Sequence, residues 1–316
     1  MRCVRVPLTL QFVGIGSDLP AYFSQDFGAV FTSTIDKYVY AMATPCQSGS
    51  DILSNDVACR NILKQVGVGD GHDVAIMSDL RGSAALGFYE AASTAVVMCA
   101  DTSKEPDSVI NRSLEVSRIA HYGECAQRSV AYSAMYGGTN LWHSRYPDGY
   151  VANDSIRIQQ NDMVRFFEHV SLYSVDVPGN SRNSLTKYAY QVRNDQDAFD
   201  SQQKISENVR SFVDSFLEKR YDICGECMSS EWELRKAINP NITTTTVDNF
   251  IAIARSVGAW GVNVLGYGNR LYLLILSSIH AKAAISTTLN PLMSIPVGFT
   301  NDGAFVLVER NKRKSF

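Results

Sequence analysis

Residues 3–13 are dense in Val, Leu and Phe and alternate loosely, which reads as a β-strand. Gly14-Ile15-Gly16-Ser17-Asp18 breaks that strand, and Leu19-Pro20-Ala21-Tyr22-Phe23 then starts a short helical turn. An apolar strand running straight into a glycine-punctuated acidic loop places that loop at the end of a sheet. Whatever fold follows has to supply a second layer over the strand, because its side chains are too apolar to face water.

The rest of the chain supplies such layers in alternation. Residues 29–40 read as a further strand. Residues 83–99 are alanine-rich with helical spacing, directly after the loop Met77-Ser78-Asp79-Leu80-Arg81-Gly82. Residues 108–120 and 128–135 are further helix candidates. Residues 142–158 read as strand, a Pro147-Asp148-Gly149 turn, then strand. Residues 164–175 are apolar and strand-like. The polar stretch 177–203 is the natural boundary. Beyond it the pattern is helical over 203–220, 231–238 and 246–257. It returns to strand over 260–276, has a short helix over 280–284, and ends in a hairpin over 295–309 turned by Asp302-Gly303. Mixed strands and helices without a repeat period predict an α+β chain of two domains, 1–180 and 181–316.

Composition narrows the function classes. Among 316 residues, 45% are hydrophobic and 19% charged, enough to bury full cores. With 29 basic and 32 acidic residues the net charge is −3, which points away from nucleic acid and from anionic membrane as main partners. The basic run Arg310-Asn311-Lys312-Arg313-Lys314 reads as a solvated tail. The longest apolar runs, 95–100 and 271–276, are too short to cross a bilayer, and no signal peptide is evident. Seven scattered cysteines suit reduced thiols in a cytoplasm. Cys224-Gly225-Glu226-Cys227 has metal-site spacing but lacks a second ligand pair nearby.

Arg5-Val6-Pro7-Leu8, then Phe12-Val13-Gly14-Ile15-Gly16-Ser17-Asp18-Leu19-Pro20, resembles the first motif of the GHMP kinases. In the heptose 7-phosphate kinase branch that motif runs Arg-x-Pro-Leu-Arg-Ile-Ser-Phe-x-Gly-Gly-Gly-Thr-Asp-Leu-Pro. Asp36-Lys37-Tyr38-Val39-Tyr40, Tyr136-Gly137-Gly138, Tyr146-Pro147-Asp148-Gly149, Trp232-Glu233-Leu234-Arg235-Lys236, Gly258-Ala259 with Gly261, and Leu265-Gly266 with Gly268 follow in family order. The resemblance covers nearly the whole chain. It implies an N-terminal domain like ribosomal protein S5, a ferredoxin-like C-terminal domain, and ATP- and Mg2+-dependent phosphorylation of a small hydroxylated metabolite.

The same resemblance assigns residues. Asp18, with Ser17 beside it, matches the acidic residue that holds substrate hydroxyls, and Arg5 and Lys37 match basic positions for a sugar phosphate. The phosphate loop falls on Asp79, Arg81, Gly82 and Ser83, where Asp79 and Arg81 replace family glycines and Ser83 keeps the phosphate and magnesium serine. Glu115 is the candidate magnesium glutamate, with Glu124 as a substitute, because Arg118 occupies the spot expected without an insertion. Val130 stands where the family's catalytic aspartate belongs. Asn269, Arg270 and Leu271 replace the later glycines of the last motif, and Asn263 replaces its lysine. A valine cannot orient or deprotonate a hydroxyl, and a side chain in the phosphate loop crowds a nucleotide.

Three readings follow. The first is a kinase-fold protein impaired in catalysis that binds, regulates or scaffolds, with a sugar phosphate, a protein partner or a second copy as its partner. The second is an active sugar or sugar-phosphate kinase with a rearranged site. The third is a structural subunit of a larger assembly.

Overall fold

The structure, a computed structural model, describes residues 1–45, 52–53, 57–66, 72–80, 84–100, 105–119, 126–145, 150–154, 158–177, 184–267 and 269–309. The first half contributes β1 (Arg2–Val13), α1 (Pro20–Phe23), β2 (Gly28–Pro45), β3 (Ile52–Leu53), α2 (Val57–Val66), β4 (His72–Ser78), α3 (Phe88–Ala100), α4 (Pro106–Ser117), α5 (Arg128–Tyr136), β5 (Thr139–Arg145) and β6 (Tyr150–Asp154). The second half contributes α6 (Gln160–Phe167), β7 (Val170–Asp176), α7 (Ser184–Asn194), α8 (Gln196–Leu217), α9 (Tyr221–Ile238), α10 (Thr245–Ser256), β8 (Ala259–Leu265), β9 (Arg270–Ser277), α11 (Ile279–Thr288), β10 (Met293–Ile295) and β11 (Phe305–Glu309).

These strands form two sheets. The first runs β11-β1-β2-β4-β3, with β5 on β2 and β6 on β5. Besides β1, the long β2 serves two further neighbours, pairing β5 through residues 28–33 and β4 through residues 39–45. All its pairings are antiparallel except β3 with β4. The second sheet is antiparallel in the order β10-β7-β9-β8. The α+β expectation therefore stands, and among the described residues no helix is long and apolar enough to cross a membrane.

Side chains on β1 separate two environments. Phe12 packs in an aromatic layer with Phe31, Phe166 and Phe212, which joins the first sheet to α6 and α8. Thr9 lies by Gly87, at the junction with α3 and α5. A strand covered on both sides has to bury its polar residues too, and Thr9 and Gln11 are both buried.

Three segments differ from the sequence-based expectation. Residues 164–167, expected as the start of a strand, belong instead to the helix 160–167, because Met163, Phe166 and Phe167 fall on one helical face and bury together. The polar boundary 177–203 contains α7, whose buried Leu185, Tyr188 and Val192 form a thin helical stripe. The expected closing hairpin does not form. Ile295 pairs with Leu172 in the second sheet, while β11 pairs with β1 in the first. The segment between them is drawn away by other partners, since Ala304 N–H donates to Met135 O at 3.0 Å and Asp302 pairs with Arg5 at 2.7 Å.

Candidate functional site

The loop that ends β1 is the centre of the site. Gly14 has φ +89°, and a Cβ there would collide with the backbone of Ala29 and Val30, so only glycine fits. Two helices of the second half hold this loop. Glu231 of α9 accepts from Gly14 N–H at 2.5 Å and from Ile15 N–H at 3.3 Å. Gln202 of α8 donates to Ser17 Oγ at 3.0 Å.

The loop delivers Asp18 to the first turn of α5. Its Oδ2 accepts from Ser129 N–H at 3.0 Å and from Ser129 Oγ at 2.6 Å, where the helix dipole favours negative charge. Asp18 is nonetheless fully buried, and that burial raises its pKa against the Ser129 hydrogen bonds and the Arg128 charge. Its Oδ1 has no hydrogen-bond partner among the described residues. A second buried carboxylate faces the same turn. Glu90 of α3 accepts from Gln127 N–H at 3.4 Å, and its Oε2 has no partner. Burial, with a further push from the Asp18 charge, raises its pKa to about 7. Thr9 Oγ1 and Gln11 Nε2 on β1, and Ser93 Oγ and Thr94 Oγ1 on α3, are also buried without partners.

Val130 follows directly, 1% exposed. It packs against Gly87, which has φ +69° and no room for a Cβ beside Val130 Cγ1. Val130 thus forms a methyl-lined contact between α5 and the turn that precedes α3. Gln127, just before α5, lines a small cleft of about 20 Å³ together with Gln11, Ile15, Leu265, Gly266 and Tyr267. The two halves touch at its edge, where a side chain at Gly266 would come within 2.6 Å of Ala85 Cβ.

The expected site residues fall into separate groups. Ser17, Asp18 and Val130 are brought together. Arg5 lies about 25 Å further back along β1, given the rise of a strand, paired with Asp302 and stacked 4.4 Å over the Tyr38 ring. Asp79 is beside them and accepts from Tyr38 N–H at 2.8 Å. Lys37 pairs with Asp36 at 3.1 Å. Glu115 is exposed on α4. Arg81, Gly82 and Ser83, Glu124, the turn 146–149 and the basic tail lie outside the described residues. Among the described residues no three His, Cys, Asp or Glu side chains stand together as a metal-binding group. Cys224 and Cys227 are buried thiols, and burial pushes Cys227 up to about 11, far from the reactive range.

Sequence reasoning missed Glu90 and Glu231. Glu90 did leave a signal, as the single charged residue in the helix Phe88–Ala100. Thr9 and Gln11 left another, since the heptose-kinase motif has arginine and serine there.

No protein-family model matches the chain, and no curated protein matches it in sequence. Solved structures do match in fold. A D-glycero-D-manno-heptose 1-phosphate kinase from Bacteroides thetaiotaomicron superposes with TM-score 0.75 at 17% identity, covering 98% of this chain and 100% of that one. The mevalonate kinase of Methanococcus jannaschii gives TM-score 0.65 at 14% identity over 94% and 98% of the two chains. Lactococcus lactis galactokinase, in complex with galactose, gives 0.70 at 9% identity over 97% and 95%. The chain thus has the fold of the GHMP kinases.

Proposed function

We propose that this chain binds a hydroxylated metabolite of the sugar class in the cleft beside Asp18, and that the phosphoryl transfer associated with its fold is impaired. The observation that carries the reading is Val130, buried against Gly87 at the position the sequence resemblance assigns to a proton-accepting carboxylate. Asp18 and Glu90 retain free, buried oxygens suited to ligand hydroxyls. If ATP binds, its phosphates would rest on the loop at 81–83.

The test combines binding and turnover. Hexoses should raise the melting temperature, because a ligand held only by the native state stabilises it. With Mg-ATP and hexoses or hexose phosphates, turnover should be lower than that of an aspartate-equipped kinase by about 10²–10⁴-fold, the usual worth of general acid–base help. Turnover by the unmodified chain at ordinary kinase rates, about 1–100 per second, would refute the impairment.

One observation favours a second reading, an active kinase with a rearranged site. Glu90 has an unpartnered oxygen next to the first turn of α5 and a pKa near neutrality, as a general base needs. In that case Glu90→Gln abolishes turnover, and the unmodified protein shows a rate inflection near pH 7. Absence of both removes this reading.

A further inference from the structure

Behind Tyr267, at the back of the cleft, lies an arginine that no function assigned above employs. Arg235 of α9 is wholly buried. Its Nη1 donates to Val264 O at 2.7 Å and to Asn263 Oδ1 at 3.2 Å. Its Nε and Nη2, the edge of the guanidinium that grips carboxylates and phosphates in fork geometry, have no acceptor among the described residues. The guanidinium carbon stands 5.3 Å from the ring centres of both Trp232 and Tyr267. The neighbouring polar atoms deepen the imbalance. Trp232 Nε1 has no acceptor among the described residues, and Tyr267 Oη, which interacts with the Arg235 charge, makes only a contact beyond normal hydrogen-bond geometry with its guanidinium.

The nearby carboxylate does not fill this gap. Glu231, one turn earlier on α9, spends its oxygens on Gly14 N–H, Ile15 N–H and Asn263 Nδ2. Asn263 cannot turn to help, because its Oδ1 accepts from Arg235 and from Val264 N–H. Buried charges are ordinarily paired and buried donors ordinarily satisfied. Here a fully buried cation, an indole N–H and a phenol all offer hydrogens, and what they lack is an acceptor.

We infer that Arg235, Tyr267 and Trp232 form an anion subsite that holds a compact oxyanion substituent, phosphate or carboxylate, of the ligand bound in the cleft. Tyr267 connects the two places. Its ring lines the cleft, its hydroxyl lies beside Arg235, and it follows Gly266, whose φ of +99° marks a glycine-built turn. For the subsite to be reached, that ring has to swing aside, which would open the fork edge to the cleft. The subsite also supplies the phosphate-binding cation expected at Arg5 and Lys37, both of which are taken up by ion pairs with Asp302 and Asp36.

This inference rests on the cleft being a ligand site, and the experiment separates the two. The full-length protein is titrated by calorimetry and thermal shift with inorganic phosphate, glucose, glucose 6-phosphate and ADP, using chloride at matched ionic strength as the control. Phosphate should raise the melting temperature beyond chloride, and glucose 6-phosphate should bind at least about tenfold tighter than glucose. Arg235→Gln should erase both differences. Tyr267→Phe, which deletes one hydroxyl and leaves the core filled, should weaken phosphate binding several-fold without lowering the phosphate-free melting temperature. If Arg235→Gln does not fold, Tyr267→Phe decides. A response to ADP that survives Arg235→Gln assigns the subsite to the ligand's own substituent, and one lost with it assigns the subsite to the nucleotide. No phosphate response in the unmodified protein, or an equal response in both variants, overturns the subsite. Glucose binding without a phosphate preference overturns the subsite and leaves the cleft reading standing. Phosphate binding without any sugar binding does the reverse.

Discussion

Replacing Glu231 by glutamine gives the most quantitative check of the loop that presents Asp18. Burial raises the Glu231 pKa from 4.5 to about 7, against the opposing pull of Arg235 and three hydrogen-bond donors. A group whose folded pKa is raised holds its proton longer in the folded state than in the unfolded one. Its stability contribution is therefore full below the unfolded value and is lost as pH climbs through the folded value. Between pH 5 and pH 8 that loss is about 2.5 kcal/mol for this one residue. Glutamine cannot ionise, so Glu231→Gln is exempt. At pH 5 the variant stands against a mostly neutral acid of the same shape, and the two differ by about 1 kcal/mol, the scale of one altered hydrogen bond. By pH 8 the comparison shifts in the variant's favour by the 2.5 kcal/mol or so that the unmodified protein has given up. Urea unfolding of both proteins at the two pH values measures this directly, provided the slopes with denaturant agree. If the gap moves the other way, with the variant relatively worse at pH 8, the donors of Gly14, Ile15 and Asn263 outweigh burial, and Glu231 works as an anion that clamps the loop.

Gly87→Ala should cost about 1–3 kcal/mol, from a left-handed backbone and overlap with Val130. Adding Val130→Ala should return part of it, and a double-mutant cycle by urea unfolding reads the coupling. Ser129→Ala removes the 2.6 Å hydrogen bond to Asp18 and should cost about 1–2 kcal/mol. It also lifts the Asp18 pKa further, so the variant should go on losing stability to higher pH than the unmodified protein as pH rises above the ordinary carboxylate range, as measured by thermal melts. Asp302→Ala breaks a partly exposed ion pair and should shift stability by under about 1 kcal/mol, with binding in the cleft unchanged by calorimetry.

Local physics made much of this legible in advance. The loop after β1 could be read because its glycines answer a backbone demand that shows in residue type alone. The helices over 106–117, 128–136 and 245–256 could be read because their apolar spacing is strong. What escaped was decided at long range. α7 buries so narrow a stripe that its polar residues dominate the pattern. β10 and β11 look like a hairpin because nothing local says that their pairing partners are β7 and β1. In the site, Asp18 and Val130 were visible through motif position. Glu90, Glu231 and Arg235 were not, because a charged residue on a helix looks solvated until another element covers it. Arg5 and Lys37 carried the right charge for a sugar phosphate, yet both sit where an acidic neighbour already occupies them.

The pairing of β11 with β1 has a consequence for how the chain is made. Arg5 meets Asp302 across 297 positions of sequence, and the edge of the first sheet is completed by residues 305–309. During synthesis at roughly 5–20 residues per second, β1 waits on the order of fifteen seconds or more for its outer neighbour. In that interval its backbone edge is open to any other extended segment, a hazard for unpaired strands. Closure of the sheet is then a high-contact-order step that comes late in folding. A chain shortened before residue 305 should therefore aggregate during expression rather than merely lose stability.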